Sequence, residues 1–403
     1  MSFIAGARPN ARTVEELLAA GVASSGRRRI VTPEGLQRRV QDTVDERIDS
    51  GTELGVQVAV IHGGRLVVNV ASGLADVSGR VVQPDTLFWA SSTAKGVAST
   101  VAHVLAEIGV LDYDMPLAAV WPEFAQHGKD TVTVRHVLCH TAGVPGLPAD
   151  LTPAELCDWE RMCTVLAEAQ LWWEPGTAFG YHAHTFGFLL SETLRRLTGR
   201  SISTLLRELI TAPLGVADEI HFGVPDRLLP SVAQQVAHAG SGPNPPEPGS
   251  AQAGALPAAV APTADLANRP DILRADIPST GTMTAAGAAR MYAALLGHVD
   301  ETALVAPDRL RTIADVVYTG ADMVMGVPTQ WAFGYSPYRP AAAAARAGST
   351  FGMVGANGSA AFADIESGVA VAIMRNRFSV GDFDLATRVD TLVAQSIGGL
   401  HRD

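Results

Sequence analysis

Cysteine is scarce in this chain, with three in 403 residues, and long apolar runs are missing. Cys139, Cys157 and Cys163 show no metal-like pairing with nearby histidines, which favours a reducing compartment over a disulfide framework. No stretch approaches the roughly 18 uninterrupted apolar residues of a membrane-spanning helix. The first twenty residues lack a basic start followed by an apolar run, so we expect no secretory signal and a cytoplasmic protein.

Basic residues are also fewer than acidic residues. Lys and Arg number 30 against 41 Asp and Glu, which gives a net charge of −11. Nucleic acids and anionic membranes both require a basic face on their partner, so we expect neither as a partner. The densest basic cluster, Arg27-Arg28-Arg29, is interpreted as a solvated turn.

The composition is otherwise that of a globular protein, 47% hydrophobic and 18% charged. Residues 33–50 carry apolar side chains at four-residue spacing, which predicts an amphipathic helix: Leu36, Val40, Val44 and Ile48. The β-branched runs 56–61 and 65–70 follow, and His62-Gly63-Gly64 between them indicates a hairpin.

The middle of the chain, from about residue 92 to 218, has mostly helical periodicity. It predicts a helix over 92–108 and another over 185–197 that ends at Gly199. Residues 239–263 are rich in Gly, Pro and Ala without an apolar period, which indicates a long loop or a partly mobile lid, or alternatively an interdomain linker.

Strands return in the last third of the chain, at 331–335, 359–363 and 369–374, and a helix is predicted over 384–398. Strands from both chain ends should therefore share one sheet, because the helical middle separates them.

These patterns predict an α+β fold with an antiparallel sheet flanked by helices. Residues 1–90 and 265–403 would form the sheet lobe, and residues 91–264 a mainly helical lobe that includes the loop 239–263. The active site would lie in the cleft between them.

A candidate catalytic motif, Ser-x-x-Lys, stands at the start of the predicted helix 92–108. The spacing puts the Ser92 hydroxyl and the Lys95 ammonium on one helical face. A free lysine titrates near 10.4, so burial or a neighbouring positive charge would have to lower that pKa for Lys95 to act as a base. Alternatively, Ser92 is only a helix N-cap.

The surrounding blocks carry a resemblance to a known family. Residues 91–124, 132–148 and 172–199, in this order, strongly resemble the β-lactamase-related serine esterases, that is, esterase family VIII and class C β-lactamase-like proteins, over roughly residues 55–380. The resemblance implies the penicillin-recognising fold. It also implies Ser92 as the acylated nucleophile and Lys95 as its base.

Tyr181, in Gly180-Tyr181-His182-Ala183, matches the second motif of the family. The resemblance implies that its hydroxyl protonates the leaving group and later helps to activate the acceptor. A half-buried core aromatic is the alternative role for this residue.

The third motif of the family, Lys-Thr-Gly or His-x-Gly, matches residues 351–359. Met353 stands where a cationic or hydrogen-bonding residue is usual, and a thioether cannot hold a substrate carboxylate. We therefore expect a neutral acyl donor. Gly355 would allow the substrate to approach the strand, and the backbone N–H groups of Ala356 and Ser92 would form the oxyanion hole.

Other side chains are weaker candidates for substrate binding. His140 matches a loop of the family near the cleft entrance, where the resemblance implies that it organises the loop or, alternatively, takes protons. Trp172 and Trp173 could line an acyl or leaving-group pocket or pack in the core. His182 and His184 form a conceivable metal pair, but no third ligand is evident, so we expect no metal and no cofactor. Cys139-His140 is a conceivable nucleophile and base, although sequence neighbours point in different directions.

The predicted function is acyl transfer through Ser92, with a small ester or thioester as donor. Water would resolve the acyl-enzyme in an esterase, and an alcohol or amine would do so in a transacylase. A β-lactamase or penicillin-binding peptidase is the first alternative, and a binding protein that has lost turnover is the second.

Overall fold

The computed structural model describes residues 33–238, 246–299, 302–337 and 349–397. The predictions for the first twenty residues, for Arg27-Arg28-Arg29 and for the part of the 239–263 segment before Pro246 lie outside the described residues.

The strands are β1 (Gly55–His62), β2 (Arg65–Gly73), β3 (Phe88–Trp89), β4 (Ile220–His221), β5 (Val236–Ala237), β6 (Thr282–Met283), β7 (Tyr318–Ala321), β8 (Pro328–Trp331), β9 (Thr350–Val354), β10 (Ala360–Asp364), β11 (Val369–Arg375) and β12 (Arg377–Phe378). The α-helices are α1 (Pro33–Asp49), α2 (Thr93–Glu107), α3 (Val134–Leu138), α4 (Pro153–Cys157), α5 (Trp159–Glu168), α6 (Thr185–Thr198), α7 (Ile202–Leu206), α8 (Ala251–Ala255), α9 (Ala264–Ala267), α10 (Pro270–Arg274), α11 (Ala285–Leu295), α12 (Pro307–Ala314) and α13 (Asp384–Ile397).

The main sheet has five strands in the order β2-β1-β11-β10-β9, and each pair is antiparallel. β1 from the start of the chain pairs with β11 from its end, with Val58 opposite Ile373. This pairing confirms the predicted antiparallel sheet built from both chain ends.

The two faces of this sheet pack against different layers because alternate side chains point to opposite sides. On one face Val56, Val58 and Val60 join the helices α1 and α13 in one apolar cluster. On the other face Ala59 and Ile61 belong to the large cluster that includes α2 and α11. α2 also contacts β9, so the sheet positions the helix that follows Ser92.

The helical region packs around α2, which contacts α6 and α7. α6 ends at Gly199, whose φ of 73° is left-handed and suits glycine, as the sequence predicts. Beyond the predicted lobe boundary at residue 264, α10 still contacts α4 of the helical region, whereas α11 packs on β1 and β11.

Two local predictions are wrong. Residues 331–335 do not form a strand, because after Trp331 the amides of Phe333 and Gly334 bond to the carbonyls of Ile313 and Leu138 instead of to a sheet. The described part of 239–263 is not a plain loop. It contains α8, which begins where the Ser250 hydroxyl accepts a hydrogen bond from the Ala253 amide.

Among the helices that the structure describes, none combines the length and the hydropathy that crossing a bilayer requires.

Candidate active site

Ser92 stands at the turn that leads into α2, and its backbone is already helical, with φ −63° and ψ −10°. Its side chain forms no capping hydrogen bond, which argues against a simple N-cap role. Ser91 immediately before it has φ 50°, a left-handed conformation that is uncommon outside glycine and costs about 1–3 kcal/mol. The chain therefore holds a strained turn just before the candidate nucleophile.

Lys95 is 1% exposed, and its Nζ lies 2.9 Å from Ser92 Oγ. The ammonium also donates to the carbonyl of Ser279 at 3.2 Å. Burial lowers the pKa of Lys95 from 10.5 to about 7, because the charged form loses its hydration. Near neutral pH a substantial fraction of Lys95 is thus uncharged and able to accept the Ser92 proton.

Tyr181 completes the group, because its phenol lies close enough to the Ser92 hydroxyl to have its pKa lowered by it, against the larger opposite effect of burial. The Nζ of Lys95 lies 5.1 Å from the centre of the Tyr181 ring. Burial raises the pKa of the phenol well above its usual range, so Tyr181 is a neutral proton donor at neutral pH. The three side chains form one connected unit around Ser92 Oγ.

The backbone on both sides of Tyr181 is anchored by two residues from other parts of the chain. The amide of Gly180 donates to the carbonyl of His140 at 3.2 Å, and the amide of His182 donates to His140 Nδ1 at 3.0 Å. The Tyr181 amide between them donates to the carboxylate of Asp322, at 3.2 and 3.1 Å from its two oxygens. These contacts fix the main chain that carries the phenol.

Both ring nitrogens of His182 and of His184 have protein partners. His182 Nδ1 donates to the Gly180 carbonyl at 2.7 Å, and its Nε2 accepts from the Val144 amide at 3.1 Å. His184 Nε2 donates to the Val260 carbonyl at 2.9 Å, and its Nδ1 accepts from the Ser279 hydroxyl at 2.8 Å. Burial lowers the pKa of each ring to about 4, so both are neutral. They are structural groups rather than metal ligands, and the described residues contain no His, Cys, Asp and Glu cluster suited to a metal.

Cys139 is buried, and burial raises the pKa of its thiol to about 12. A thiol at that pKa is a poor nucleophile at neutral pH. His140 next to it bonds to the 180–182 backbone instead. The pair Cys139-His140 is therefore not a catalytic dyad.

The two predicted oxyanion donors, the amides of Ser92 and Ala356, belong to residues that line the same cavity. Ala356 lies in the turn after β9, which the hydrogen bond from the Gly358 amide to the Gly355 carbonyl closes at 2.9 Å. The structure gives Gly355 a packing role. A Cβ on it would lie 2.3 Å from the Ala90 carbonyl oxygen, so its bare Cα makes room for the turn that carries Ser92. Its predicted role in substrate approach stays a prediction.

The cavity beside Ser92 has a volume of about 260 Å³. Much of its wall comes from the described part of the 239–263 segment, including Leu256 and Pro262, and Val324 and Val380 close other sides. Lys95 is the one charged residue among the described residues that line it. The cavity is small and mainly apolar, and it adjoins the side chains of Ser92, Lys95 and Tyr181.

Several residues predicted to bind substrate lie elsewhere. Met353 is 4% exposed and packs with Phe179 and Trp331 in an apolar cluster outside the cavity lining. Trp172 fills the space between the backbones of Gly146 and Gly254. Neither Met353 nor Trp172 is in the described lining of the cavity, so their contact with substrate stays a prediction.

The rings of Trp173 and His182 meet edge to face, with centroids 5.9 Å apart. His140 is 1% exposed and packs against the ring of Tyr181, with centroids 5.0 Å apart. None of these three belongs to the described lining of the cavity, and their contacts are with the loop that carries Tyr181. Their contact with substrate stays a prediction.

Two supporting residues have no signal in the sequence. Asp322 is 3% exposed and lies in the turn between β7 and β8, 141 residues from Tyr181. Ser279 lies between α10 and β6 and contacts both Lys95 and His184. Neither belongs to a motif, so only the folded chain shows their place.

Comparisons with known proteins agree with this fold. The chain matches a family model described as Beta-lactamase over residues 40–395. It is 32% identical over 358 residues to the Esterase/beta-lactamase LipL of Mycobacterium tuberculosis, which covers 80% of this chain and 77% of that protein.

Two solved structures are similar over most of their length. A family VIII carboxylesterase has a TM-score of 0.81 at 30% identity, covering 90% of this chain and 97% of that chain. A penicillin-binding protein homologue from Caulobacter crescentus has a TM-score of 0.80 at 33% identity, with coverage of 90% and 97%. With the family model matched over residues 40–395, these likenesses show that the chain belongs to the beta-lactamase family.

Proposed function

We propose that this protein is a serine-dependent carboxylesterase that works through an acyl-enzyme on Ser92. The observation that carries the proposal is the 2.9 Å contact between Ser92 Oγ and the buried Nζ of Lys95. Burial brings the pKa of that amine to about 7, which matches a general base working near neutral pH. The names of the relatives, an esterase/beta-lactamase and a family VIII carboxylesterase, support the same class of reaction.

In the acylation step, Ser92 Oγ attacks the ester carbonyl while its proton passes to neutral Lys95. The new C–O bond forms as the carbonyl π electrons move onto oxygen, where the amides of Ser92 and Ala356 would donate to the oxyanion. The Ser279 carbonyl accepts a hydrogen bond from the ammonium that results. The two amides would stabilise the negative charge of the oxyanion, and the Ser279 carbonyl would stabilise the positive charge of Lys95.

Collapse of the tetrahedral intermediate breaks the bond to the leaving alcohol. Tyr181 is a neutral phenol because burial raises its pKa, so it can protonate the departing alkoxide. The proton on Lys95 then restores the phenol. Water then attacks the acyl carbon and gives a proton to the same unit. The bond from that carbon to Ser92 Oγ breaks, the proton passes to Oγ, and the acid leaves free Ser92 behind.

The substrate that fits is a small, uncharged ester. A cavity of about 260 Å³ is slightly smaller than the usual range for ligand pockets, roughly 300–1,000 Å³. Besides Lys95, the described lining offers no cation to pair with a substrate carboxylate. This lining favours a short apolar acyl group over an anionic β-lactam.

Transfer of the acyl group to an alcohol is a second outcome of the same chemistry. The described part of the 239–263 segment covers the cavity with apolar side chains, including Leu256 and Pro262. An apolar cover lowers the local activity of water and favours an organic acceptor. Hydrolysis remains the main proposal, because the acyl-enzyme needs no further binding site to react with water.

The test uses p-nitrophenyl acetate and butyrate, with and without an added alcohol or amine, followed by intact-mass measurement of the protein. We expect turnover and a transient mass increase equal to the acyl group. The Ser92→Ala variant should fold normally and show neither signal. A stable acyl adduct on that variant would refute the assignment of Ser92.

A further inference from the structure

The two amides of the candidate oxyanion hole follow strands of different sheets. Ser92 follows β3, which pairs with β6 in a three-stranded sheet. Ala356 follows β9 at the edge of the five-stranded sheet. Within the described strands no ladder joins β3 to β9, so backbone pairing does not set the spacing of the two amides.

A buried side chain joins these two parts of the chain. Asn357 is 0% exposed, and its Nδ2 donates to the carbonyl of Trp89 at 2.9 Å across 268 residues of sequence. The same amide group reaches the Gln235 side-chain oxygen and the Arg375 carbonyl, each at 3.4 Å. Asn357 directly follows Ala356, and Trp89 lies three positions before Ser92. The side chain of Asn357 therefore connects the two turns that carry the candidate oxyanion donors.

Close packing supports the link at the same place. The missing Cβ of Gly355 leaves room for the Ala90 carbonyl, and the Thr93 hydroxyl donates to the Ser359 carbonyl at 3.3 Å. Because the turn at 355–359 and the turn at 89–93 touch at several points, a shift in one moves the other.

We propose that Asn357 is a positioning residue that sets the spacing of the Ser92 and Ala356 amides and so determines how well the site binds the oxyanion. The inference rests on the proposed function. In this role Asn357 lowers the free energy of the transition state, which carries the oxyanion. It leaves the affinity for the uncharged substrate unchanged, because the substrate carries no oxyanion before the attack.

A matched control lies close by. Asn376 is also 0% exposed, and its Nδ2 donates to two carbonyls, Leu74 at 3.0 Å and Ala75 at 3.2 Å. These partners lie before β3 and do not touch the turn that carries Ala356. Removing this amide costs the fold two buried hydrogen bonds, against three contacts for Asn357, without loosening the oxyanion hole.

The experiment compares wild type, Asn357→Ala and Asn376→Ala. Three quantities are measured: kcat/KM for p-nitrophenyl butyrate, the inhibition constant of an alkyl trifluoromethyl ketone, and that of the corresponding secondary alcohol. The ketone forms a reversible adduct in which Ser92 Oγ bonds to carbon, the carbonyl oxygen gains the negative charge and Lys95 takes the proton. The alcohol fills the same space without an oxyanion.

For Asn357→Ala we expect kcat/KM to fall about 10- to 100-fold, the ketone inhibition constant to rise by a similar factor, and the alcohol inhibition constant to stay within twofold. Asn376→Ala should keep the wild-type ratio of the two inhibition constants, whatever its effect on thermal stability. A Gly355→Ala variant tests the same spacing by steric pressure on Ala90, and it should show the same selective loss.

The inference is overturned if kcat/KM of Asn357→Ala stays within twofold of wild type, or if ketone and alcohol binding weaken equally. If Asn357→Ala fails to fold, the same measurements are made on Gly355→Ala. A selective loss of ketone binding then supports the inference, and an unchanged kcat/KM or an equal loss for ketone and alcohol overturns it. Failure of the proposed function would appear separately, as a wild-type protein that neither turns over the ester nor acquires an acyl mass.

Discussion

The backbone amide of Tyr181 donates to the carboxylate of Asp322, whose oxygens lie 3.2 and 3.1 Å away. The same carboxylate accepts the amides of Val324 and Met325, both at 2.8 Å, and these two residues line the cavity. One buried side chain thus holds the candidate acid and part of the substrate wall together.

We predict that Asp322→Ala lowers kcat/KM by about tenfold or more, because displacement of a catalytic group by ~1 Å can cost a hundredfold. Asp322→Asn keeps one acceptor oxygen and should recover most of the activity. In a Tyr181→Phe background, Asp322→Ala should cost clearly less than in wild type, because only its hold on the cavity wall at Val324 and Met325 is then lost. Equal losses with and without the phenol would assign Asp322 to general stability. Asp76→Ala, which removes a similar turn carboxylate near the surface, is the control.

We predict that kcat/KM rises with pH through about 7. Burial lowers the pKa of Lys95 to that value, and only the uncharged amine accepts the Ser92 proton. Activity should therefore fall about tenfold per pH unit below this point and level off above it. Initial rates at low ester concentration between pH 5 and 9 measure this, and a flat profile would contradict the role of Lys95 as base.

We predict that Lys95→Ala and Tyr181→Phe each lower kcat/KM by at least about a hundredfold, the low end for a lost general acid or base. The double variant should be little worse than the poorer single variant, because groups that act as one unit are strongly non-additive. Kinetics on one activated ester and one ester with a poor leaving group check this. Near-normal rates of Tyr181→Phe on both esters would return Tyr181 to a packing role.

We predict that nitrocefin and penicillins are hydrolysed far more slowly than p-nitrophenyl butyrate. Met353 is packed against Phe179 and Trp331, and the described cavity lining offers the drug carboxylate no cation except Lys95. Parallel assays with both substrate classes measure the ratio. Comparable values of kcat/KM would move the protein to the β-lactamase alternative.

We predict that Trp172→Ala raises the share of acyl-enzyme that reacts with water when methanol is also present. The Trp172 ring packs against Gly254 in α8, so its loss loosens the covering segment and admits water. The ratio of acid to methyl ester among the products measures the partition. Trp121→Phe, a change within the core far from this segment in sequence, is the control, and the same ratio in both variants would exclude a covering role.

Much of this structure could be predicted from local patterns. The helix expected over 92–108 is Thr93–Glu107, and the glycine expected to end α6 does end it. The hairpin of β1 and β2 follows its β-branched runs. These elements are encoded by periodicity and turn residues that lie within a few positions of one another.

The rest depends on contacts between distant parts of the chain. Asp322 and Asn357 act on residues 141 and 268 positions away, and no local pattern marks either one. The apolar run at 331–335 has the composition of a strand, but its amides find partners outside any sheet. The sequence predicts that the missing side chain of Gly355 leaves space for substrate, whereas in the fold the Ala90 carbonyl lies where a Cβ would be.

The pairing of β1 with β11 also has a consequence for biosynthesis. β1 ends at His62 and its partner β11 begins at Val369. During translation, some three hundred residues must therefore be synthesised after β1 before β11 can pair with it. The turn that carries Ala356 is made late as well. Ser92 and Lys95 therefore emerge from the ribosome long before Ala356, and a nascent chain stopped before β9 would carry the proposed nucleophile without the second proposed oxyanion donor.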